Sequence, residues 1–149
     1  MALSRVYSNG TKEVEVIIVA AVDGSEHTHK VVETAKEFAG VGDIHFVYVS
    51  GSYIYPYMLP AGHMIDFESV RESQTAAVWD IVGDMPSNGQ AVTLEGGAPA
   101  PMIVDYAKNV DADLIILGSR GRGALGTLLL GSVSHGVAHA SDRNVLIVK

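Results

Sequence analysis

The 149-residue chain contains no cysteine. That absence removes disulfides, thiolate nucleophiles and cysteine-held zinc or iron–sulfur sites together, and it fits a reducing, cytoplasmic location. Positive charge is also scarce: ten Lys and Arg face seventeen Asp and Glu, for a formal charge of −7. Generic attraction to nucleic-acid backbones or anionic membranes is therefore not expected, and any bound anion must be held by a local arrangement of donors. Long apolar runs are missing as well. The two longest stretches without Asp, Glu, Lys or Arg, Ile44–Ile65 and Gly123–Ser141, are broken by glycines and each contains two histidines. A spanning helix needs about 20 predominantly apolar residues. Glu13 and Glu15 stand where a secretory signal would carry positive charge.

What remains is 48% hydrophobic and 18% charged, the composition of a compact globular domain and not of a disordered chain. Residues 1–12 show no periodicity and read as a loose, flexible arm preceding one domain over 13–149. From there the apolar period alternates. Val16–Val22 is a continuous β-branched run suited to a strand buried on both faces, and Val31, Val32, Ala35, Phe38 and Ala39 recur at helical spacing. Ile44–Ser50 is a second strand. Asp66–Asp84 is a helix with Val70, Ala77, Val78 and Ile81 inward. Ala91–Glu95, Leu114–Leu117 and Val145–Val148 are further strands, separated by helices over Pro101–Val110 and Gly131–Ala140. Such alternation predicts an α/β fold: one open five-stranded, mainly parallel Rossmann-like sheet with helices on both faces. Ligands of such sheets bind beyond the carboxyl ends of the strands, where strand order reverses.

The richest segment at those ends is Gly118-Ser119-Arg120-Gly121-Arg122-Gly123 and onward to Gly126. Gly121-x-Gly123-x-x-Gly126 spells a dinucleotide fingerprint, yet only 23 residues follow it, too few for the rest of such a domain. A P-loop is excluded because no Lys-Ser or Lys-Thr closes the segment. The spacing Gly118-x2-Gly121-x9-Gly131-Ser132 fits an anion site better. Its glycines let backbone N–H groups approach an anion, and the helix beginning there adds unpaired donors and a favourable dipole. Residues 118–149 hold four bases against one acid, a net of +3, while residues 1–117 carry −10. The competing reading is a surface loop with two solvated arginines.

With the flanking Ala112–Leu117 and Val145–Val148, this spacing resembles the ATP-binding branch of the universal stress protein family, a Rossmann-like, adenine nucleotide α-hydrolase-like fold. Leu129-Leu130-Gly131-Ser132-Val133, Val19–Ser25 and Gly97-x-Pro99 are similar to family segments as well. The resemblance implies an ATP site. Ala21, Val22 and Asp23 would lie beside the nucleotide, Val49 would meet the adenine edge, and Gly118 would face the ribose. Ser119, Arg120, Gly121 and Arg122 would wrap the phosphates, with Gly131, Ser132, Val133 and Ser134 as further donors and Mg²⁺ carried on the phosphates. It also implies homodimerisation through the last strand, Val145, Leu146, Ile147 and Val148, and a regulatory, stress-linked role with at most slow ATP hydrolysis. Asn144 stands where many relatives place proline.

Several other residues admit two readings. Asp23 either contacts ligand or caps the following helix. His135 and His139 have the i,i+4 spacing of a metal pair but no third ligand nearby, so a helix surface is the simpler reading. His27 and His29, near a helix start, either sit by the site or face solvent, the simpler reading, while His45 is expected to be structural and Asp111 and Asp113 to be turn residues. The tyrosine-bearing loop Gly51–His63 reads as a packed loop, a lid or a partner surface. Neither a metal site nor a nucleophile–base pair is fixed by the pattern. The rival functions are an ATP pyrophosphatase, whose Ser-Gly-Gly-x-Asp-Ser loop is missing, a cyclic AMP-binding module, and a nucleotide-free scaffold.

Overall fold

A computed structural model describes residues 7–8, 11–12, 16–51, 66–120 and 130–149. The elements in chain order are β1 (Tyr7–Ser8), β2 (Thr11–Lys12), β3 (Val16–Val22), α1 (Thr28–Glu37), β4 (Gly42–Ser50) and α2 (Phe67–Val82). They continue with β5 (Gly89–Glu95), α3 (Pro99–Asn109), β6 (Leu114–Gly118), α4 (Ser132–Ala140) and β7 (Asn144–Val148). Within the otherwise unpatterned N-terminal segment, β1 and β2 pair antiparallel.

The remaining five strands form one sheet in the order β5-β4-β3-β6-β7, every pairing parallel. The chain steps outward from β3 through β4 to β5, then returns to the other side of β3 for β6 and β7. The reversal of strand order thus falls at β3 and β6, and it opens a crevice at their carboxyl ends.

Alternation along the strands divides the core in two. Ile18, Ala20 and Val22 of β3 join Ile44, Phe46 and Tyr48 of β4 against Val31, Val32 and Ala35 of α1 and Val78 and Val82 of α2. On the opposite face, Val19, Val47, Val49, Ile115 and Leu117 pack with Ile103 and Ala107 of α3 and Val137 of α4. The continuous apolar runs of β3 and β6 follow from this double burial.

α2 departs from the expected inward face. Val78 and Val82 are buried, whereas Val70 is 38% exposed and Ala77 is also exposed. Only the C-terminal half of this helix is held against the sheet, with Trp79 edge-on to Tyr48 at 6.4 Å between ring centroids.

The far end of the sheet is closed by polar contacts. Asp113 accepts from the Ile17 N–H through its carboxylate and donates its own N–H to the Ile17 carbonyl. Asp111 takes a positive φ of 55° and accepts from Arg143 at 2.7 Å. Arg143 therefore sits at the amino end of β7, bound to Asp111, Asp142 and the Ala112 carbonyl. It does not belong with the glycine loop, a correction to the charge grouping read from the sequence: α4 returns the chain from the carboxyl end of β6 to the amino end of β7, where Arg143 stands. Asn144 donates to the Asp113 carbonyl at 3.2 Å, through a side-chain N–H that proline lacks.

Candidate functional site

A cleft of about 730 Å³ opens at the carboxyl ends of β3, β4 and β6, within the usual size of a ligand pocket of roughly 300–1,000 Å³. β3 contributes Ala21, Val22 and Asp23, β4 contributes Tyr48 and Val49, and β6 contributes Leu117 and Gly118. Pro99 and Ile103 of α3 and Val31 of α1 complete an apolar wall. Arg120, Gly131, Ser132, Val133 and Ser134 close the other side.

At that second side the backbone does the chemistry. α4 begins at Ser132 after Gly131, which has φ −64° and ψ 163° and no side-chain cap. The first N–H groups of a helix have no partner within it. Here the residues carrying them, Ser132, Val133 and Ser134, line the cleft, and the first turn contains no acid. Such an end attracts negative charge. The turn is held rigidly. The Gly131 N–H donates to the Ser119 carbonyl at 2.7 Å, and the buried Ser134 hydroxyl donates to the carbonyls of Ser119 and Gly131 at 2.9 and 3.0 Å.

Ser119 itself does not line the cleft. It is buried, and its N–H donates to the Val148 carbonyl at 2.7 Å, so it ties the end of β6 to β7 and to α4. Among the residues singled out in the sequence, Ala21, Val22, Asp23, Val49, Gly118, Arg120, Gly131, Ser132, Val133 and Ser134 come together around one space. Gly121 and Arg122 lie outside the described residues, as does the tyrosine loop beyond Gly51.

Asp23 does not cap α1. Its carboxylate Oδ1 accepts from the Ser25 N–H at 2.9 Å and from the Thr28 hydroxyl at 3.3 Å, and the Thr28 oxygen accepts from the Gly24 N–H at 3.0 Å. Gly24 has φ 74°, a backbone conformation that glycine adopts without strain. The helix starts later, with His27 in the cap position and no side-chain cap. Asp23 is thus a turn-forming carboxylate beside the cleft.

His27 lines the cleft with its side chain only 15% exposed, against the expectation that it faces solvent, whereas His29 is exposed. The reason is Gly118: a Cβ there would lie 2.8 Å from the His27 Cβ, so the missing side chain of Gly118 makes room for the histidine. Gly118 is a close-approach glycine as well as a loop residue.

The hydroxyl groups carry no sign of nucleophilic activation. Ser25 Oγ is buried with no partner among the described residues, Thr28 is bound into the Asp23 turn, and Ser134 is bound to carbonyls. Activation requires a hydroxyl hydrogen-bonded to a base. Among the described residues no group of three His, Asp or Glu is placed to hold a metal ion. His135 and His139 stack at 6.3 Å on the exposed side of α4. His45 is structural as expected: it is buried on β4, its Nδ1 shares a 2.8 Å hydrogen bond with the Tyr106 hydroxyl, and burial pushes its pKa down. The arrangement is suited to binding a ligand with one flat apolar part and one anionic part. Tyr48 and Leu117 were reachable from the strand-end rule, and Pro99 as the first residue of α3. Ser25 and His27 had only their place after the first strand to mark them, and Gln74 carried no signal in the sequence that set it apart.

Three comparisons bear on this geometry. A sequence profile described as the universal stress protein family matches residues 17–149. The universal stress protein A homolog 2 of Coxiella burnetii is 31% identical over 141 residues, spanning 91% of this chain and 94% of that protein. A universal stress protein of Synechocystis sp. is 41% identical over 87 residues, or 55% of this chain, and that match spans about half the relative, 56% of its length. Among solved structures, a universal stress protein from Archaeoglobus fulgidus in complex with dAMP superimposes with a TM-score of 0.59 at 25% identity, covering 91% of this chain and 98% of that one. Among the described residues no helix is long and apolar enough to cross a membrane.

Proposed function

We propose, from the premise that this chain belongs to the universal stress protein family, that it is a nucleotide-dependent regulatory protein of a stress response whose ligand is ATP. The observation that carries the reading is the start of α4, where three uncapped, acid-free residues, Ser132, Val133 and Ser134, open onto the same cleft as Arg120 and Gly118. A phosphate there meets backbone donors and the positive end of the helix, with a guanidinium beside it. The apolar wall of Val22, Val49, Ile103 and Leu117 is the size and character for an adenine ring, and Asp23 lies where a ribose hydroxyl is within reach. Gly121 and Arg122 complete the phosphate loop in this reading. The dAMP complex of the A. fulgidus relative supports an adenine nucleotide as the ligand class.

Mg²⁺ enters on the phosphates, since magnesium usually keeps several waters and binds alongside substrate phosphates. In this reading the protein acts by binding, with at most slow ATP hydrolysis. A cytoplasmic setting follows from the family and from the lack of cysteine. Two copies pair through β7, an edge strand with Leu146 36% exposed and its outer backbone groups available to a second strand.

The test is a thermal shift with ATP, ADP, AMP and cyclic AMP, with and without Mg²⁺. A ligand at 100 times its Kd adds about 2.7 kcal/mol. ATP–Mg giving the largest shift supports the reading. Stabilisation by cyclic AMP alone makes the protein a cyclic-nucleotide module, and no shift with any nucleotide removes the assignment. Gly118→Ala is a poor control, because its Cβ collides with His27 whether or not a ligand binds.

A further inference from the structure

The turn between β3 and α1 brings two further polar side chains to the cleft, Ser25 and His27. Ser25 Oγ is buried, lines the cleft and has no hydrogen-bond partner among the described residues. A buried hydroxyl left in that state costs about 1–3 kcal/mol, a penalty that a bound acceptor removes. His27 is mostly buried, yet its ring makes no hydrogen bond among the described residues beyond a loose 4.0 Å approach to the exposed Glu26 carboxylate. Both the His27 Cβ and the Arg120 carbonyl crowd the same face of Gly118, at 2.8 and 3.3 Å from where its Cβ would stand. The histidine therefore adjoins the point at which the chain leaves β6 for the phosphate loop.

We infer that Ser25 and His27 form a second anion subsite, which binds the terminal phosphate of a nucleoside di- or triphosphate while the first phosphate rests on the start of α4. This inference rests on the nucleotide reading above and deepens it by separating polyphosphates from monophosphates. The Ser25 hydroxyl donates to a phosphate oxygen. A ring N–H of His27 donates to a second phosphate oxygen, and Arg120 lines the same cleft. The charged surroundings are consistent with this. Among the described cleft-lining residues Asp23 is the only acid, and its Oδ1 is already engaged by Ser25 N–H and Thr28. β4 and α2 present Tyr48 and the uncharged Gln74 to the same space. From the first turn of α1, Lys30 reaches the Lys149 carbonyl at the end of β7, while Glu26 is 90% exposed.

The experiment is calorimetric titration of wild type, His27→Leu and Ser25→Ala with ATP–Mg and with AMP. His27→Leu is expected to weaken ATP roughly tenfold and leave AMP within about twofold. Ser25→Ala weakens ATP and not AMP while leaving Tm unchanged or raised, since it deletes an unpaired buried hydroxyl. It also carries the test if the leucine variant does not fold. Equal loss of ATP and AMP, or loss of neither in both variants, overturns the second subsite and leaves the nucleotide reading standing. A wild-type protein that binds neither nucleotide removes both.

Discussion

Ser134 and His45 are both buried polar residues, and each illustrates how a polar group inside this sheet protein is made tolerable. The Ser134 hydroxyl bridges the carbonyls of Ser119 and Gly131, which fixes the turn into α4. Ser134→Ala removes one donor to two buried carbonyls and is expected to destabilise by about 1–2 kcal/mol, read as a lowered urea midpoint. An unchanged midpoint means the backbone bond from Gly131 to Ser119 holds the turn alone. His45 acts through pH. Burial lowers its pKa below the ordinary 6.5, with the nearby Asp43 opposing in part. A lowered folded value means the unfolded chain takes up the proton first, so the contribution is fully present above pH 6.5 and is lost as pH falls toward the folded value. His45→Leu should remove that part of the acid dependence. Urea midpoints of wild type and variant across this range check it, and parallel curves count against the assignment.

The helices differ in how they begin, and α4, like α1, starts with neither a side-chain cap nor an acid in its first turn. α2 begins with Asp66, whose carboxylate accepts from the N–H groups of Glu68 and Ser69. α3 begins with proline, whose nitrogen has no hydrogen to leave unpaired. α4 has neither device. Ser132→Asp places an acid at its first residue and should stabilise the free protein by about 0.3–1 kcal/mol through the helix dipole. The same carboxylate occupies and repels from the anion position, so ATP binding should fall at least tenfold. Opposite signs in Tm and affinity distinguish a ligand site from a helix end that merely lacks a cap. A variant that gains stability and keeps full ATP affinity would sink the phosphate assignment.

At the scale of the whole molecule, the parallel sheet leaves two edges, β5 and β7. β5 carries exposed Gln90, Ala91, Thr93 and Glu95, with Arg71 of α2 lying 3.7 Å from Glu95. β7 alternates differently, with Leu146 exposed and Val145 and Ile147 packed toward α3 and α4. An exposed apolar side chain on an unpaired edge favours strand pairing with another chain. If β7 joins two copies, Leu146→Asp opposes like charges across the two-fold and should convert dimer to monomer, seen by sedimentation velocity with the fold intact by circular dichroism. A wild type that sediments as a monomer at high concentration rules the pairing out.

The sequence alone determined the architecture and much of the cleft. Continuous apolar runs and helical stripes are local properties of the chain, and their strict alternation admits few topologies, which is why the five strands and the strand-end location of the cleft were legible. The spacing from Gly118 to Gly131 was legible for a similar reason: glycines and a helix start are local signals. Tertiary structure decided what depends on contact between distant segments. Which half of α2 is buried follows from its docking against β4 and not from its own period. Arg143 and Gly131 are neighbours in sequence and lie at opposite ends of the sheet, because α4 runs its full length between them. Which of its two readings His27 takes was decided by Gly118, ninety-one positions away, which lies beside it. That the Ser25 hydroxyl is buried without a partner among the described residues is likewise a property of the folded chain alone. Such pairings arise only when the crossovers bring strand ends together, and no local period encodes them.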